Sequence, residues 1–390
     1  MTVVIRGLGT ASPRHSIEQA DSVAFAETML SGPDDYRRRL AALYRITMVE
    51  RRGSVLLEQD GEQDCEPGVR GRSEQSFYPL AGTPGERGPT TSQRSQRYAI
   101  ESVPLGEAAS RAALTDAGTS AAAVTHLVVA TCTGFNAPGL DVGLMNRLDL
   151  SPETQRVQVG FMGCHAAVNA LRVARGLIAA DRQATVLLVC VELCSLHFQY
   201  GWETDRVVSN AIFADGAAAM ILTAADHPAI LGGRSMQVGP VSSDTSTCRA
   251  APIVRDTGSR LIAGTEAAMT WQIADHGFEM TLSAEVPGII EAELKPYLAG
   301  WLSGQGLQIG DIRGWVVHPG GPRILRAVQT ALGLVDEDLR AARAVLACHG
   351  NMSSPTMLFI IERLRQESCP RPWLMLGFGP GLEIEVALID

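Results

Sequence analysis

The sequence predicts a layered α/β protein. Two observations carry that prediction: short apolar runs rich in β-branched residues, which read as buried strands, and helical patterns that alternate with them. The runs are Thr125–Cys132 (THLVVATC), Ala184–Cys190 (ATVLLVC) and Ala217–Thr223 (AAAMILT). Taken in order, Thr2–Gly7 reads as a strand, and Ser16–Leu30 and Pro33–Leu43 as helices. Gly53–Arg97 is polar, rich in Gly, Pro, Ser, Glu and Gln, and nearly without periodicity. It is expected to be a long surface excursion with a mobile middle. Helical pattern returns at Tyr98–Ala117, and the alanine- and leucine-rich run AAVNALRVARGLIAA after Cys164 reads as a further helix. In the second half, Ile312–His318 (IRGWVVH) reads as a strand and Pro322–Leu332 as a helix. Ser354–Leu364 reads as a helix with Ser at its cap and Pro355 in its first turn. Pro372–Gly377 and Leu382–Leu388 read as strands joined by a GFGPG turn, and no strong internal repeat is visible.

Composition narrows the function. The chain has 390 residues, 46% of them hydrophobic, enough for one large or two medium cores. Its net charge of −9 and lack of a long basic run argue against nucleic acid as a main partner. The opening MTVVIRGLGTASPRHS has no charged segment followed by a long apolar one, so it reads as strand and loop and not as a signal peptide. The most apolar run, near Ala184–Leu193, is too short to span a bilayer. Eight cysteines lie scattered without C-x-x-C or metal-site spacing. Free thiols in a reducing cytoplasm are therefore expected, with Cys190, Cys194, Cys348 and Cys369 as small core or near-site residues. No Asp/Glu/His cluster reads as a metal site.

Three distant segments carry the chemistry: Cys164 in VGFMGCHAA, His318 in WVVHPGGP and Asn351 in CHGNMSSPT. A cysteine attacks as thiolate and needs a base or the positive end of a dipole nearby. The helix after Cys164 places it at a helix N-terminus, where exposed N–H groups favour negative charge. His318 can pair with it, and Asn351 can donate a hydrogen bond to a developing oxyanion. Cys, His and Asn from separate loops point to acyl transfer through a thioester. His165, beside the nucleophile, points elsewhere and reads as a packing or pocket residue, as do His349 and His197.

With these motifs in place the chain resembles the type III polyketide synthases, the chalcone and stilbene synthase family within the thiolase-like condensing enzymes. The likeness runs from about Val4 to the C-terminus through the cysteine loop, FADGAAA at 213–219, HPGGP at 318–322, GNMSS at 350–354 and GFGPG at 377–381. It implies a thiolase-like fold of two similar five-layered α-β-α-β-α halves, 1–228 carrying Cys164 and 229–390 carrying His318 and Asn351. The division is expected between about 225 and 235. The resemblance also implies a homodimer, acyl-CoA and malonyl-CoA as substrates, and no separate cofactor or metal. Phe213 falls on a gate position at the cavity mouth, and GFEMTLSAEVPG places Met280 where the family has a second gate phenylalanine. Cys132 and His197 stand where plant members line the cavity with threonine. Ser353 matches a cavity position, and Thr133 and Ala137 match the loop that reaches the dimer partner. Arg45, Arg51, Arg52 and Arg323 are the expected coenzyme A cations. GFGPG lacks the lysine and spacing of a phosphate loop and is expected to be a scaffold turn.

The implied activity is iterative decarboxylative condensation of malonyl-CoA onto an acyl-CoA starter, then cyclisation to an alkylpyrone, alkylresorcinol or related aromatic product. A chalcone- or stilbene-type enzyme with an aromatic starter and a β-ketoacyl-ACP synthase III-like enzyme are the alternatives. A non-catalytic scaffold is opposed by the intact Cys164, His318 and Asn351.

Overall fold

The computed structural model describes residues 2–29, 35–58, 75–81, 85–227 and 251–390. The middle of the polar excursion and most of the expected boundary at 225–235 lie outside the described residues. In chain order the first elements are β1 (Val3–Ala11), β2 (Ser16–Glu18), α1 (Gln19–Met29), α2 (Tyr36–Ile46), β3 (Arg51–Gly53) and α3 (Thr91–Ala117). Next come β4 (His126–Thr131), α4 (Leu140–Leu148), β5 (Gln155–Gly160), α5 (Ala166–Ala180), β6 (Thr185–Leu193), α6 (Thr204–Ile212) and β7 (Asp215–Ala224). The remainder holds β8 (Ile253–Leu261), β9 (Met269–Ala274), β10 (Gly277–Leu282), α7 (Val286–Gly304), β11 (Gly314–Val317), α8 (Pro322–Leu332), α9 (Arg340–His349), α10 (Thr356–Gln366), β12 (Trp373–Gly379) and β13 (Glu383–Ile389).

Nine strands form one sheet in the order β11-β12-β13-β8-β1-β7-β6-β4-β5. Its two sides repeat one pattern. β4 is parallel to β6, which is antiparallel to β7, which is antiparallel to β1. Likewise β11 is parallel to β12, which is antiparallel to β13, which is antiparallel to β8. The two sides join where Val3 pairs with Val254 and Val4 with Ile253.

β4, β6 and β7 are buried along their whole length. Alternate residues explain why: Val128 and Ala130 pack with α5, while Leu127 and Val129 pack on the other face with Leu105, Ala109 and Ala113 of α3. A strand covered on both faces has no need of polar alternation. Helices α5 and α10 lie between the two sides. α5 packs on β4, β6 and β7 and also on β13, and α10 on β1, β7 and β11. Both are apolar around most of their circumference, which marks a helix covered on every side. Thr356 through Ile361 are all buried, as are Ala166 through Leu171.

Several expected boundaries move. Ser16–Glu18 is a short strand paired with Arg51–Gly53, so the first helix begins at Gln19. α3 begins at Thr91, seven residues earlier than read, because Thr90 and Gln93 form a capping box. Ser354 and Pro355 precede the last helix, whose first residue is Thr356.

Candidate active site

The central helices aim their N-termini at one place. Gly163–Cys164–His165 form a 3₁₀ turn that runs directly into α5. Gly163 has φ 73°, and a Cβ there would lie 2.5 Å from Pro380 Cδ, so the turn closes only with glycine. Ahead of α10, the Asn351 N–H donates to Ile212 O at 2.8 Å and Asn351 O accepts from Ala214 N at 2.9 Å. These bonds fix Asn351 beside Phe213. Ser353, at φ 56°, donates its N–H to Asn351 Oδ1 at 2.8 Å. With that oxygen engaged, the amide nitrogen of Asn351 is the end left to donate. Ser353 shares a cavity wall with Cys164, and Ser353 and Asn351 both act to lower the pKa of its thiol.

His318 follows β11, held by its N–H to Leu376 O at 2.8 Å. It is 2% exposed, and neither ring nitrogen has a hydrogen-bond partner among the described residues. A buried imidazole without a protein partner at either nitrogen is open to a water or a ligand. Burial, aided by nearby His165, holds His318 down to about 3. Burial pushes the Cys164 thiol up to about 11, Glu192 adds to the rise, and Ser353 and Asn351 oppose it. Desolvation thus works against the thiolate that the helix N-terminus and His318 are expected to favour.

Behind the thiol lies a carboxylate that sequence reasoning missed. Glu192, with no exposure, accepts from Cys132 N at 3.0 Å, Thr133 Oγ1 at 2.8 Å and Ser354 Oγ at 2.7 Å. The Cys132 thiol is 3.4 Å from the same carboxylate and 3.7 Å from Ser353 Oγ. Burial raises Glu192 while these hydrogen bonds lower it. The signal was present, since an acidic residue near the end of the apolar strand TVLLVCVEL needs partners.

Two cavities meet here. One of about 40 Å³ borders Cys164, with Cys132, Thr133 and Ser353 in its wall. The other, about 260 Å³, is lined by His197, Phe198 and Phe278 and reaches the surface beside Arg206 and Glu203. They share Cys194, Phe213, Trp271 and Met280. Thus the expected gate pair stands at the junction, together with Trp271, which was not singled out from the sequence. Trp271 Nε1 donates to Cys132 O at 2.7 Å. His197 is a neutral piece of wall: Nε2 donates to Thr133 O at 2.7 Å and Nδ1 accepts from Phe278 N at 3.0 Å. Its ring stacks on Phe278 with centroids 4.3 Å apart, and burial holds its pKa near 3.

The four arginines differ. Arg52 donates to the carbonyls of Asn210 and Phe213 and lies 5.8 Å from the Tyr44 ring, so it braces the gate from below. Arg45 and Arg51 are exposed, and exposed Arg323 donates to Ala284 O at 3.2 Å. Among the described residues no group of three or more His, Cys, Asp or Glu can hold a metal, and no helix is long and apolar enough to cross a membrane.

Residues 2–226 match the family model for the N-terminal domain of chalcone and stilbene synthases, and residues 254–390 match that for the C-terminal domain. The chain is 31% identical over 392 aligned residues to the alpha-pyrone synthesis polyketide synthase-like Pks18 of Mycobacterium tuberculosis, covering 99% of this chain and 91% of the relative. The likeness to the protein of that name from Mycobacterium bovis is the same. The crystal structure of PKS-I from the brown alga Ectocarpus siliculosus matches with TM-score 0.85 at 29% identity, covering 100% of this chain and 98% of that one. The C-terminal type III polyketide synthase domain of Steely1, a type I/III hybrid from Dictyostelium, shares the fold with TM-score 0.81 at 24% identity, covering 100% and 99%.

Proposed function

The chain belongs to the chalcone and stilbene synthase family and is a type III polyketide synthase, and from that premise we propose the steps and the product class of its reaction. Cys164 takes an acyl group from an acyl-CoA starter, malonyl-CoA extends it by decarboxylative condensation, and the chain cyclises to an alkylpyrone, alkylresorcinol or related aromatic product. The observation that carries this reading is the placement of Cys164, with Ser353, in the wall of a cavity that adjoins a larger one at Phe213, Trp271 and Met280.

In loading, Cys164 gives its proton to His318 and attacks the starter carbonyl. The tetrahedral intermediate collapses, the carbon–sulfur bond to coenzyme A breaks, and His318 returns the proton to the departing thiolate. In extension, the bond between malonyl C2 and its carboxylate breaks, carbon dioxide leaves, and the electron pair becomes an enolate. The Asn351 amide, oriented by its bond to Ser353 N, donates to the enolate oxygen, and His318 is the second donor. The enolate carbon then attacks the Cys164 thioester and expels the cysteine sulfur. Coenzyme A thioesters are substrates in this scheme, and no separate cofactor takes part. We keep Arg45, Arg51 and Arg323 as candidate coenzyme A contacts. Arg52, committed to two carbonyls, is the weaker member of that set.

An aliphatic starter fits best. His197 is locked through both ring nitrogens, and its stack on Phe278 and edge-on contact with Trp271 make a rigid aromatic wall. Met280 is the flexible element at the gate, able to yield to an alkyl chain. The alpha-pyrone named for the mycobacterial relative agrees with the proposed pyrone class of product. Hexanoyl-CoA or lauroyl-CoA is expected to exceed coumaroyl-CoA in kcat/KM, with His197→Thr narrowing the gap and Met280→Phe slowing long chains most. Mass spectrometry of products from a starter panel with malonyl-CoA checks this. A preference for coumaroyl-CoA would support the chalcone- or stilbene-type alternative. Turnover only with carrier-bound malonate would support the β-ketoacyl-ACP synthase III alternative.

A homodimer is the proposed assembly. Among the described residues β5 ends the sheet with one edge unpaired, and Val157 on it is 40% exposed. Phe135, in the loop with exposed Ala137, is 67% exposed and packs edge-on against Phe161. An exposed apolar sheet edge calls for a covering partner. Light scattering should give twice the 41.6 kDa of one chain, and a monomeric mass would overturn the assembly. The division into 1–228 and 229–390 is proposed on the repeated strand pattern, and a cytoplasmic setting on the free thiols of Cys132, Cys164, Cys190, Cys194 and Cys348.

A further inference from the structure

The proposed reaction leaves GFGPG without a chemical role, and that segment makes structural sense against His165. Gly377 and Gly379 are strand residues, where glycine ordinarily weakens pairing. A Cβ on Gly379 would lie 2.3 Å from His165 Cδ2 and Nε2, and one on Gly377 would lie 2.9 Å from His165 Cβ. The ring is keyed against the bare backbone of β12 and is 1% exposed.

Its polar atoms are equally constrained. Nδ1 lies 2.7 Å from Asn169 Oδ1, and Asn169 Nδ2 donates to Glu385 Oε1 at 3.1 Å. Glu385, fully buried, is paired with Arg172, which also donates to Gly258 O at 3.3 Å. Because the amide nitrogen of Asn169 serves a carboxylate, its oxygen must accept, and Nδ1 of His165 carries hydrogen. Nε2 lies 3.4 Å from Glu383 Oε2 but has no hydrogen-bond partner among the described residues. The same β12 holds the candidate base: Leu376, immediately before Gly377, accepts from the His318 N–H at 2.8 Å. A continuous set of contacts therefore joins the residue after the thiol to the strand that holds the imidazole.

We propose that His165 is a positioning residue for the Cys164–His318 pair, its locked ring setting the register of the α5 N-terminus against β12. The proposal rests on Cys164 being the nucleophile. The charged and titratable groups around the ring are Cys164 and Arg172 beside or on α5, Glu383 and Glu385 on β13, and His318 after β11. From β12, Gly377 and Gly379 face it.

The test compares His165→Phe, which keeps ring bulk without the donor, with His165→Asn, which keeps a donor near the Nδ1 position. Asn169→Ala releases the ring on a helix that favours alanine. Each is assayed for thermal stability, for kcat and KM with malonyl-CoA, and for iodoacetamide alkylation of Cys164 against pH without substrate. His165→Phe and Asn169→Ala are expected to lower kcat between about 10- and 100-fold, the scale of a misplacement near 1 Å, with KM little changed. Their alkylation profiles should shift, and His165→Asn should recover most of the loss. Folded Phe and Ala variants with wild-type turnover and alkylation profiles would overturn the proposal, as would an Asn variant no better than Phe. Should His165→Phe fail to fold, the Asn169→Ala comparison decides alone. Cys164→Ser separates the premises: turnover surviving in it refutes the nucleophile, whereas a dead Cys164→Ser with unaffected His165 variants refutes only the positioning role.

Discussion

Cys164→Ala is expected to abolish starter loading and to cut polyketide formation by about 10⁴-fold or more, the scale of losing a catalytic nucleophile. The fold should survive, because the change removes one atom beside an existing cavity and costs about 1 kcal/mol, a typical single-substitution effect. Slow decarboxylation of malonyl-CoA should persist, since His318 and Asn351 remain to bind the carbonyl. The measurements are product formation, acyl transfer from labelled starter and carbon dioxide release on one preparation. Polyketide output near wild type would remove Cys164 from the chemistry.

Asn351→Ala should separate the two half-reactions. Asn351 reaches the site by its amide nitrogen, because its oxygen is held by Ser353 N at 2.8 Å. The enolate develops charge where that nitrogen donates, and losing one oxyanion donor costs about 10²–10³ in rate. Decarboxylation should fall by that factor, while starter acylation, which depends first on the thiol and His318, falls much less. Asn351→Asp should be at least as harmful to decarboxylation, since it keeps the acceptor for Ser353 N and places a carboxylate against the enolate. Equal losses in acylation and carbon dioxide release would deny Asn351 its separate role.

How much could be read in the sequence followed from how locally each feature is determined. Pro322–Leu332 was legible to the residue, because proline opens the helix and Gly333 closes it in a left-handed conformation. THLVVATC was legible because a strand buried on both faces shows as an unbroken apolar run. β8, β9 and β10 were not, since their exposed residues interrupt any apolar pattern and their pairing is long-range. β2 resembles the start of a helix and is a strand only because Arg51–Gly53 lies alongside it. The site divides the same way. Cys164, His318 and Asn351 stood in distinctive motifs. Trp271 became visible only when β9 placed it against Cys132 and His197, a contact between residues 139 apart in the chain. The neutral wall role of His197 likewise depends on two backbone partners that no local pattern reveals.

The central claim is that one cysteine carries the growing chain between coenzyme A substrates. Mass spectrometry of the intact protein tests it most directly, after brief mixing with lauroyl-CoA alone and then a chase with malonyl-CoA in the absence of any carrier protein. The expected result is a single acyl adduct on the peptide containing Cys164, absent from Cys164→Ala, that disappears during the chase as free polyketide accumulates. An adduct on another residue, or one that malonyl-CoA leaves untouched while product still forms, would contradict it.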